Sequence, residues 1–377
     1  MQEKISNEIR YRFGFILSTL LGNNNRYNIL RKYSRLIEDV ECTWAPVRHY
    51  YLETEKDPVR ILPGPLHTRA VVIAQAMPVL QKLSRLDAVM VHQFELTSLL
   101  ALKNSKKFPI IINAHDNPPV INPDDYPLYP EQKNKKEWRR KLRLANDVWA
   151  ARRSGYYIGF SKWSANIMRQ CGIPDNHSVA QHVGLDLDEW KQIHHSSIKT
   201  DSRLRLLFVG SDFTRKGGHR LLELFANDSV KNCTLDIVTR SNIGSIPPNC
   251  RVFTNLNSGD IDLSNLFRDA DVLVLPSEAD LVPWVILEAM ASNCAIIASN
   301  IGGIPDIVSS NCGILIDYRN NLSLREAIST LANDITRAGD MGKFGRSIIE
   351  RDFNASINVP KTFNIMKEWV DERRLSL

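Results

Sequence analysis

Short, uninterrupted apolar runs recur along this chain, each stopped by Gly, Pro, Asn or Asp, and they alternate with amphipathic stretches. The C-terminal half is the clearest, with runs at Leu204–Val209, Thr234–Val238, Val252–Phe253, Val272–Leu275, Ala295–Ala298 and Gly313–Ile316. A run without polar alternation is how a strand covered on both faces reads. Between these runs lie helix candidates at His219–Phe225, Pro283–Ala291 and Leu322–Asn333. Alternating strand and helix implies right-handed crossovers and a parallel sheet with helices on its faces. The N-terminal half repeats the pattern at Phe13–Leu20, Val59–Leu62, Ala88–His92, Ile110–Asn113 and Tyr157–Phe160. A polar stretch, 191–203, separates the halves. The expected fold class is therefore α/β, with two doubly wound Rossmann-like domains facing a cleft. The domains are read as 1–190 and 204–360, with a last helix, about 361–377, packing back on the first. Ligands of such sheets bind beyond the carboxyl ends of the strands, so functional residues are sought just after each run.

Composition narrows the function classes. Hydrophobic residues are 43% and charged residues 24% of 377, which excludes a disordered or coiled-coil chain. The net charge of +6 is too mild to argue for nucleic acid, and none is expected as a partner. That excess is concentrated in one place: segment 131–153 holds nine basic and three acidic residues, so the rest of the chain is neutral. The six cysteines form no CxxC pair and no zinc-type spacing, as in a reduced, cytoplasmic protein. Phe13–Leu21 runs into Gly22-Asn23-Asn24-Asn25 rather than a cleavage site, and reads as the first strand and its turn. Leu281–Ala298 is broken by Pro283, Glu288 and Asn293, so no membrane span is expected.

Two strand-to-helix junctions carry chemistry. After Leu207-Phe208-Val209 comes Gly210-Ser211-Asp212-Phe213-Thr214-Arg215-Lys216-Gly217-Gly218 and then a helix. Turn amides and helix N-termini favour anions, and Arg215 and Lys216 add full charges. The turn has neither the Walker order nor the dinucleotide glycine pattern; it reads as a phosphate cradle or as a solvated basic turn. The second junction is Leu275-Pro276-Ser277-Glu278-Ala279-Asp280-Leu281-Val282-Pro283, followed by a helix in which Glu288 sits among Val285, Ile286, Leu287, Ala289, Met290 and Ala291. A carboxylate there needs partners, either a structural cation or ligand hydroxyls such as a ribose diol. A third junction contains Gly302-Gly303-Ile304-Pro305-Asp306.

In this order the three junctions resemble the C-terminal domain of the family 4 retaining glycosyltransferases of GT-B fold (glycosyl transferases group 1). The resemblance covers about 204–318 through Phe-Val-Gly…Lys-Gly, the acid-x7-acid motif ending Glu-Ala-Met-Ala, and Gly-Gly-Ile-Pro-Asp-Ile-Val. Leu21-Gly22-Asn23, Asn113-Ala114-His115, Phe160-Ser161-Lys162 and Val183-Gly184-Leu185-Asp186 match the N-terminal half more loosely. The resemblance implies transfer of a hexosyl group from a UDP- or GDP-sugar to an acceptor, with retention and without a fixed metal or other cofactor. It implies that Lys216 stabilises the departing diphosphate, that Glu288 binds the ribose, and that Asp280 stands in the first acid's place, with Glu278 as a rival. His115 would lie over the donor sugar, and Gly22 would let the backbone approach the donor.

The sequence departs from the family where an Arg is usual and Ser211 stands, with Arg215 as a substitute cation. It departs again where Asp280-Leu281-Val282-Pro283 replaces a glycine-rich turn, leaving the amides of Leu281 and Val282 to face the donor. These departures keep open a second reading, a GT-B protein that binds a sugar nucleotide or a partner without transfer.

The acceptor side is less legible. His92 ends a strand candidate, and Tyr126 lies in the proline-rich stretch 118–130, a candidate cleft wall. Trp44, Arg48, His49, Tyr50 and Tyr51 could stack on sugars or simply fill the core. In 131–153, Trp138, Leu142, Ala145 and Trp149 fall on one helical face amid cations. That stretch reads either as a surface helix packing its apolar stripe on its own sheet, or as peripheral contact with the inner face of a membrane.

Overall fold

The computed structural model describes residues 8–18, 22–47, 64–92, 94–102, 108–114, 118–119, 137–190, 203–257 and 259–377. They form two compact units. The first contains the described residues up to 119, then 137–183, and 355–377; the second contains 184–190, 203–257 and 259–354. His115, Tyr126, the strand expected at Val59–Leu62 and the stretch 191–202 lie outside the described residues, as do Arg48, His49, Tyr50 and Tyr51.

The first unit has a six-stranded parallel sheet. Its strands are β1 (Tyr11–Ser18), β2 (Val40–Val47), β3 (Ala88–Val91), β4 (Ile110–Asn113), β5 (Tyr156–Gly159) and β6 (Ser178–Ala180), in the spatial order β2-β1-β3-β4-β5-β6. Its described helices are α1 (Gly22–Ser34), α2 (Gly64–Leu80), α3 (Phe94–Ala101), α4 (Glu137–Ser154), α5 (Lys162–Gln170) and, later in the chain, the last helix, Ala355–Leu375. Every residue of β3, β4 and β5 is buried, which is why they read as continuous apolar runs. The sequence reading missed β2. Val-Glu-Cys-Thr-Trp-Ala-Pro-Val is an edge strand, so polar residues and Pro46 are tolerated and no apolar run marks it.

The second unit holds β7 (Leu204–Val209), β8 (Cys233–Val238), β9 (Cys250–Phe253), β10 (Val272–Leu275), β11 (Ala295–Ser299) and β12 (Gly313–Ile316). Their order is β12-β11-β10-β7-β8-β9, all pairs parallel. The helices here are α6 (Gly218–Ala226), α7 (Ile261–Asp269), α8 (Trp284–Ala291), α9 (Asn321–Asn333) and α10 (Ile335–Asp352), and the last helix of the chain is α11. The sheet is wound outward in both directions from β7 and β10, the chain passing from β7 to β8 on one side and from β10 to β11 on the other. That is the switch point at which doubly wound sheets bind ligands. In the first unit the corresponding pair is β1 and β3, paired along Phe13–Ile16.

Within the second unit, the chain at Leu185 runs beside the chain at Phe353 and Asn354. Leu185 N–H donates to the Phe353 carbonyl at 2.7 Å, and Leu185 bridges Asn354. Within the first unit, Asn358 donates to the His182 carbonyl at 2.9 Å and seats the start of α11. No helix among the described residues is long and apolar enough to cross a membrane.

Candidate active site

The loop after β7 is a compact knot around Asp212. Its Oδ1 accepts the Arg215 N–H at 3.1 Å, its Oδ2 accepts Arg215 Nε at 3.0 Å, and its carbonyl accepts the Lys216 N–H at 3.0 Å. Gly210 keeps the strand end bare, since a Cβ there would lie 2.6 Å from the Lys216 stem. Gly217 closes the turn at φ 78°, and a Cβ on it would come within 2.1 Å of the Pro276 carbonyl oxygen. The loops after β7 and β10 thus touch backbone to backbone. Gly217→Ala should cost about 2–4 kcal/mol, from a left-handed backbone plus a collision with a carbonyl that cannot swing away. Urea unfolding checks this, with Gly244→Ala, where a Cβ meets nothing within 4 Å, as the neutral control.

The two loops are then cross-linked by charge. Lys216 Nζ donates to Asp280 Oδ2 at 3.0 Å, and Arg215 Nη1 lies 3.9 Å from the same oxygen while donating to the Ala279 carbonyl at 2.5 Å. Asp280 is buried; it also accepts the Leu281 N–H at 3.1 Å and the Ser277 hydroxyl at 3.4 Å. Asp280, rather than its rival Glu278, is therefore the acid that meets Lys216. Glu278 instead pairs with Arg220 at 3.2 Å. The Leu281 amide, expected to face a donor, is turned back onto Asp280, and the Leu281 carbonyl accepts from Gly303 at 2.9 Å, tying in the glycine turn after β11. Ser211 is exposed, and its carbonyl accepts the Ser241 hydroxyl at 3.1 Å.

Glu288 lies on α8, whose other inward residues are all apolar. It is half-buried, with protein closely packed around its carboxyl. Burial raises its pKa to about 7, opposed by the positive charge of Lys216. Its carboxyl has no hydrogen-bond or ion-pair partner among the described residues, unlike Asp280 in the preceding loop. The Ser299 hydroxyl at the end of β11 is likewise buried and unpartnered among them. Nothing in the sequence distinguishes Ser277 or Ser299 from ordinary loop serines.

The raised pKa has a stability consequence. An unfolded Glu288 loses its proton near the ordinary glutamate value of 4.5 and the folded one near 7. Between these the folded state holds the extra proton, so stability falls as pH rises through the window. Glu288→Gln should flatten that slope, by about 3 kcal/mol at most. Melting curves between pH 4.5 and 8 read it directly.

In the first unit, Gly22 is the first residue of α1, the helix that follows β1. His92 follows β3 and is buried, its N–H bonded to the Ile16 carbonyl at 3.0 Å. Both stand at the β1/β3 switch point. Trp44 is half-buried and packs against the core: it stacks on Phe15 with centroids 4.2 Å apart and meets Tyr27 edge-on. Arg26 was not foreseen. It is 2% exposed, donates to the Ala114 carbonyl at 2.7 Å and lies 4.2 Å over the Phe160 ring, which in turn packs 4.2 Å from the His182 ring. It pins together the ends of α1, β4, β5 and β6. Among the described residues no group of three or more His, Cys, Asp or Glu side chains is placed to hold a metal.

Residues 188–348 match the family model described as glycosyl transferases group 1. D-inositol 3-phosphate glycosyltransferase of Paenarthrobacter aurescens is 33% identical over 90 residues, 24% of this chain and 22% of that protein. The chain thus spans about a fifth of the length of the first curated relatives it matches. Among solved structures, sucrose-phosphate synthase of Thermosynechococcus elongatus superposes with a TM-score of 0.72 at 16% identity, covering 96% of this chain and all of that one. HepE of Anabaena, solved in complex with UDP and glucose, superposes with a TM-score of 0.63 at 16% identity over 98% of this chain and all of its own. The two-sheet fold is that of the GT-B glycosyltransferases, and the second unit carries the group 1 match.

Proposed function

We propose that this chain is a glycosyltransferase of the family 4 kind, which moves a hexosyl group from a nucleotide diphosphate sugar to an acceptor hydroxyl with retention at the anomeric carbon. The observation that carries this reading is Glu288, a largely enclosed carboxyl without a protein partner among the described residues, set in the field of Lys216 at the switch point of the sheet. A ribose diol would supply the hydrogen bonds it lacks, and the diphosphate would then fall to Lys216 and the Val282 amide. Arg215 would add charge from behind the loop. Asp280 holds the lysine in place. By the family resemblance, His115 and Gly22 would serve the donor, and His92 and Tyr126 the acceptor.

In the step itself the bond between the anomeric carbon and the diphosphate oxygen breaks, and the acceptor oxygen bonds to the same face of the sugar. The acceptor proton passes to the departing phosphate oxygen. Lys216 stabilises the charge that develops there, the electrostatic contribution that is usually the largest in such sites. No fixed metal or cofactor is needed. UDP is favoured over GDP because HepE, of the same fold, binds UDP with glucose. The free cysteines, five of them buried, fit a reducing cytoplasmic setting.

A second reading, binding without transfer, is favoured by the inward turn of the Leu281 amide and by the engagement of Asp280. The test is a panel of UDP- and GDP-sugars, read both as a rise in melting temperature and as released nucleotide. Protection with release supports transfer; protection without release supports the binder; neither sinks both.

A further inference from the structure

Helix α4 does not bury its apolar stripe. Trp138 is 59% exposed, Leu142 65% and Trp149 42%, so packing of this stripe on the sheet, the plainer expectation, is not what is found; only Ala150, Ala151 and Ser154, at the other end, are buried. The neighbouring helix extends the exposed surface. Asn146 of α4 donates to Ser98 of α3 at 3.0 Å, and Arg153 reaches the Ala101 carbonyl at 3.4 Å. Leu142 and Trp149 are each one helical turn from Asn146, and they flank that junction. Across it, Leu99 and Leu102 are 46% and 67% exposed. Five large apolar side chains on two adjoining helices form more than the scattered exposure normal for a surface.

The charge on α4 is predominantly positive. Helix α4 carries six basic and two acidic residues, within the segment that accounts for the whole excess charge of the chain. The two acids are engaged by bases of the same helix: Glu137 by Lys141 at 2.8 Å and Asp147 by Arg143 at 3.6 Å. Arg139 lies against the Trp138 ring at 5.3 Å, so cation and indole present a common edge.

We propose that the α3–α4 face is a docking surface for an anionic lipid bilayer. Trp138, Leu142, Trp149, Leu99 and Leu102 enter the headgroup boundary, and Arg139, Lys141 and Arg143, exposed beside the stripe, meet the lipid phosphates. Indole rings favour that boundary. A cationic, aromatic-bearing helix face binds there by apolar burial plus attraction to anionic lipid. The charge complementarity selects a bilayer over an apolar protein groove. This inference stands apart from the sugar-transfer reading, which it neither needs nor supports.

The test is co-sedimentation of the full chain with vesicles of phosphatidylcholine alone, and of phosphatidylcholine mixed equally with phosphatidylglycerol. Tryptophan emission is followed in the same samples. Binding to the anionic vesicles is expected, with a blue shift and weakening by added salt. A variant combining Trp138→Ser, Leu142→Ser and Trp149→Ser should bind at least about tenfold more weakly. A variant combining Arg139→Gln and Lys141→Gln should lose the preference for anionic lipid. Both changes are at exposed positions, and unchanged melting and donor hydrolysis show that the fold and the other site survive. Equal binding to neutral vesicles, no binding to either, or self-association in solution that the triple variant abolishes would each overturn the proposal.

Discussion

Lys216→Met is expected to reduce the rate of nucleotide release from the donor sugar by roughly 100- to 1000-fold, the usual cost of removing one preorganised charge from a leaving-group site. Methionine keeps the unbranched stem that crosses Gly210 and removes only the ammonium. The change also leaves Asp280 buried with Ser277, the Leu281 amide and a more distant Arg215. Stability should therefore fall by about 1–3 kcal/mol. The double variant Lys216→Met with Asp280→Asn separates the two effects. It should recover stability by relieving the unpaired acid, without recovering rate. Single-turnover assays at saturating donor, run beside urea unfolding, measure both. A Lys216→Met protein that turns over near the parent rate would remove the lysine from the chemistry.

Glu288→Gln is expected to act in opposite directions on the empty and the occupied protein. At neutral pH the empty protein should become more stable, since a carboxyl that burial holds near pH 7 is replaced by a neutral amide. Affinity for the nucleoside diphosphate should fall by about 10- to 100-fold, because hydroxyls donating to a carboxylate are worth roughly 1.5–3 kcal/mol. The parent should bind nucleotide more tightly as pH rises through 7, because ribose hydroxyls favour the ionised acid; the variant should lose that dependence. Calorimetric titration with UDP at pH 6 and pH 8 decides it. A variant destabilised at neutral pH with unchanged affinity would make Glu288 a structural acid instead. Stability gained where function is lost is the expected signature of a binding site.

The fold was legible wherever burial on both faces removed polar alternation. β3, β4, β10 and β11 are wholly enclosed, and their apolar runs nearly coincide with the strands. The edges were not legible. β2 is partly exposed and carries a proline, and β6 has three residues, so neither leaves a hydrophobic signature. In the candidate site, Glu288 announced itself as an acid in an otherwise apolar helix, and Lys216 as a cation in a glycine turn. The partnership of Lys216 with Asp280 was not readable from spacing. It depends on two loops from strands adjacent in space but separated by about sixty residues, brought to backbone contact at Gly217. Arg26 left no signal, because an arginine after three asparagines looks solvated until its helix is seen to seal the ends of β4 and β5.

The lysine–aspartate link between the two loops also bears on which anions can stay. A weak anion competes poorly for an ammonium already partly neutralised at 3.0 Å, whereas a nucleoside diphosphate brings enough negative charge to share it. Discrimination then rests on valence as well as on shape: a monophosphate or inorganic phosphate, common in any cell, should be turned away by the same contact that holds the lysine ready.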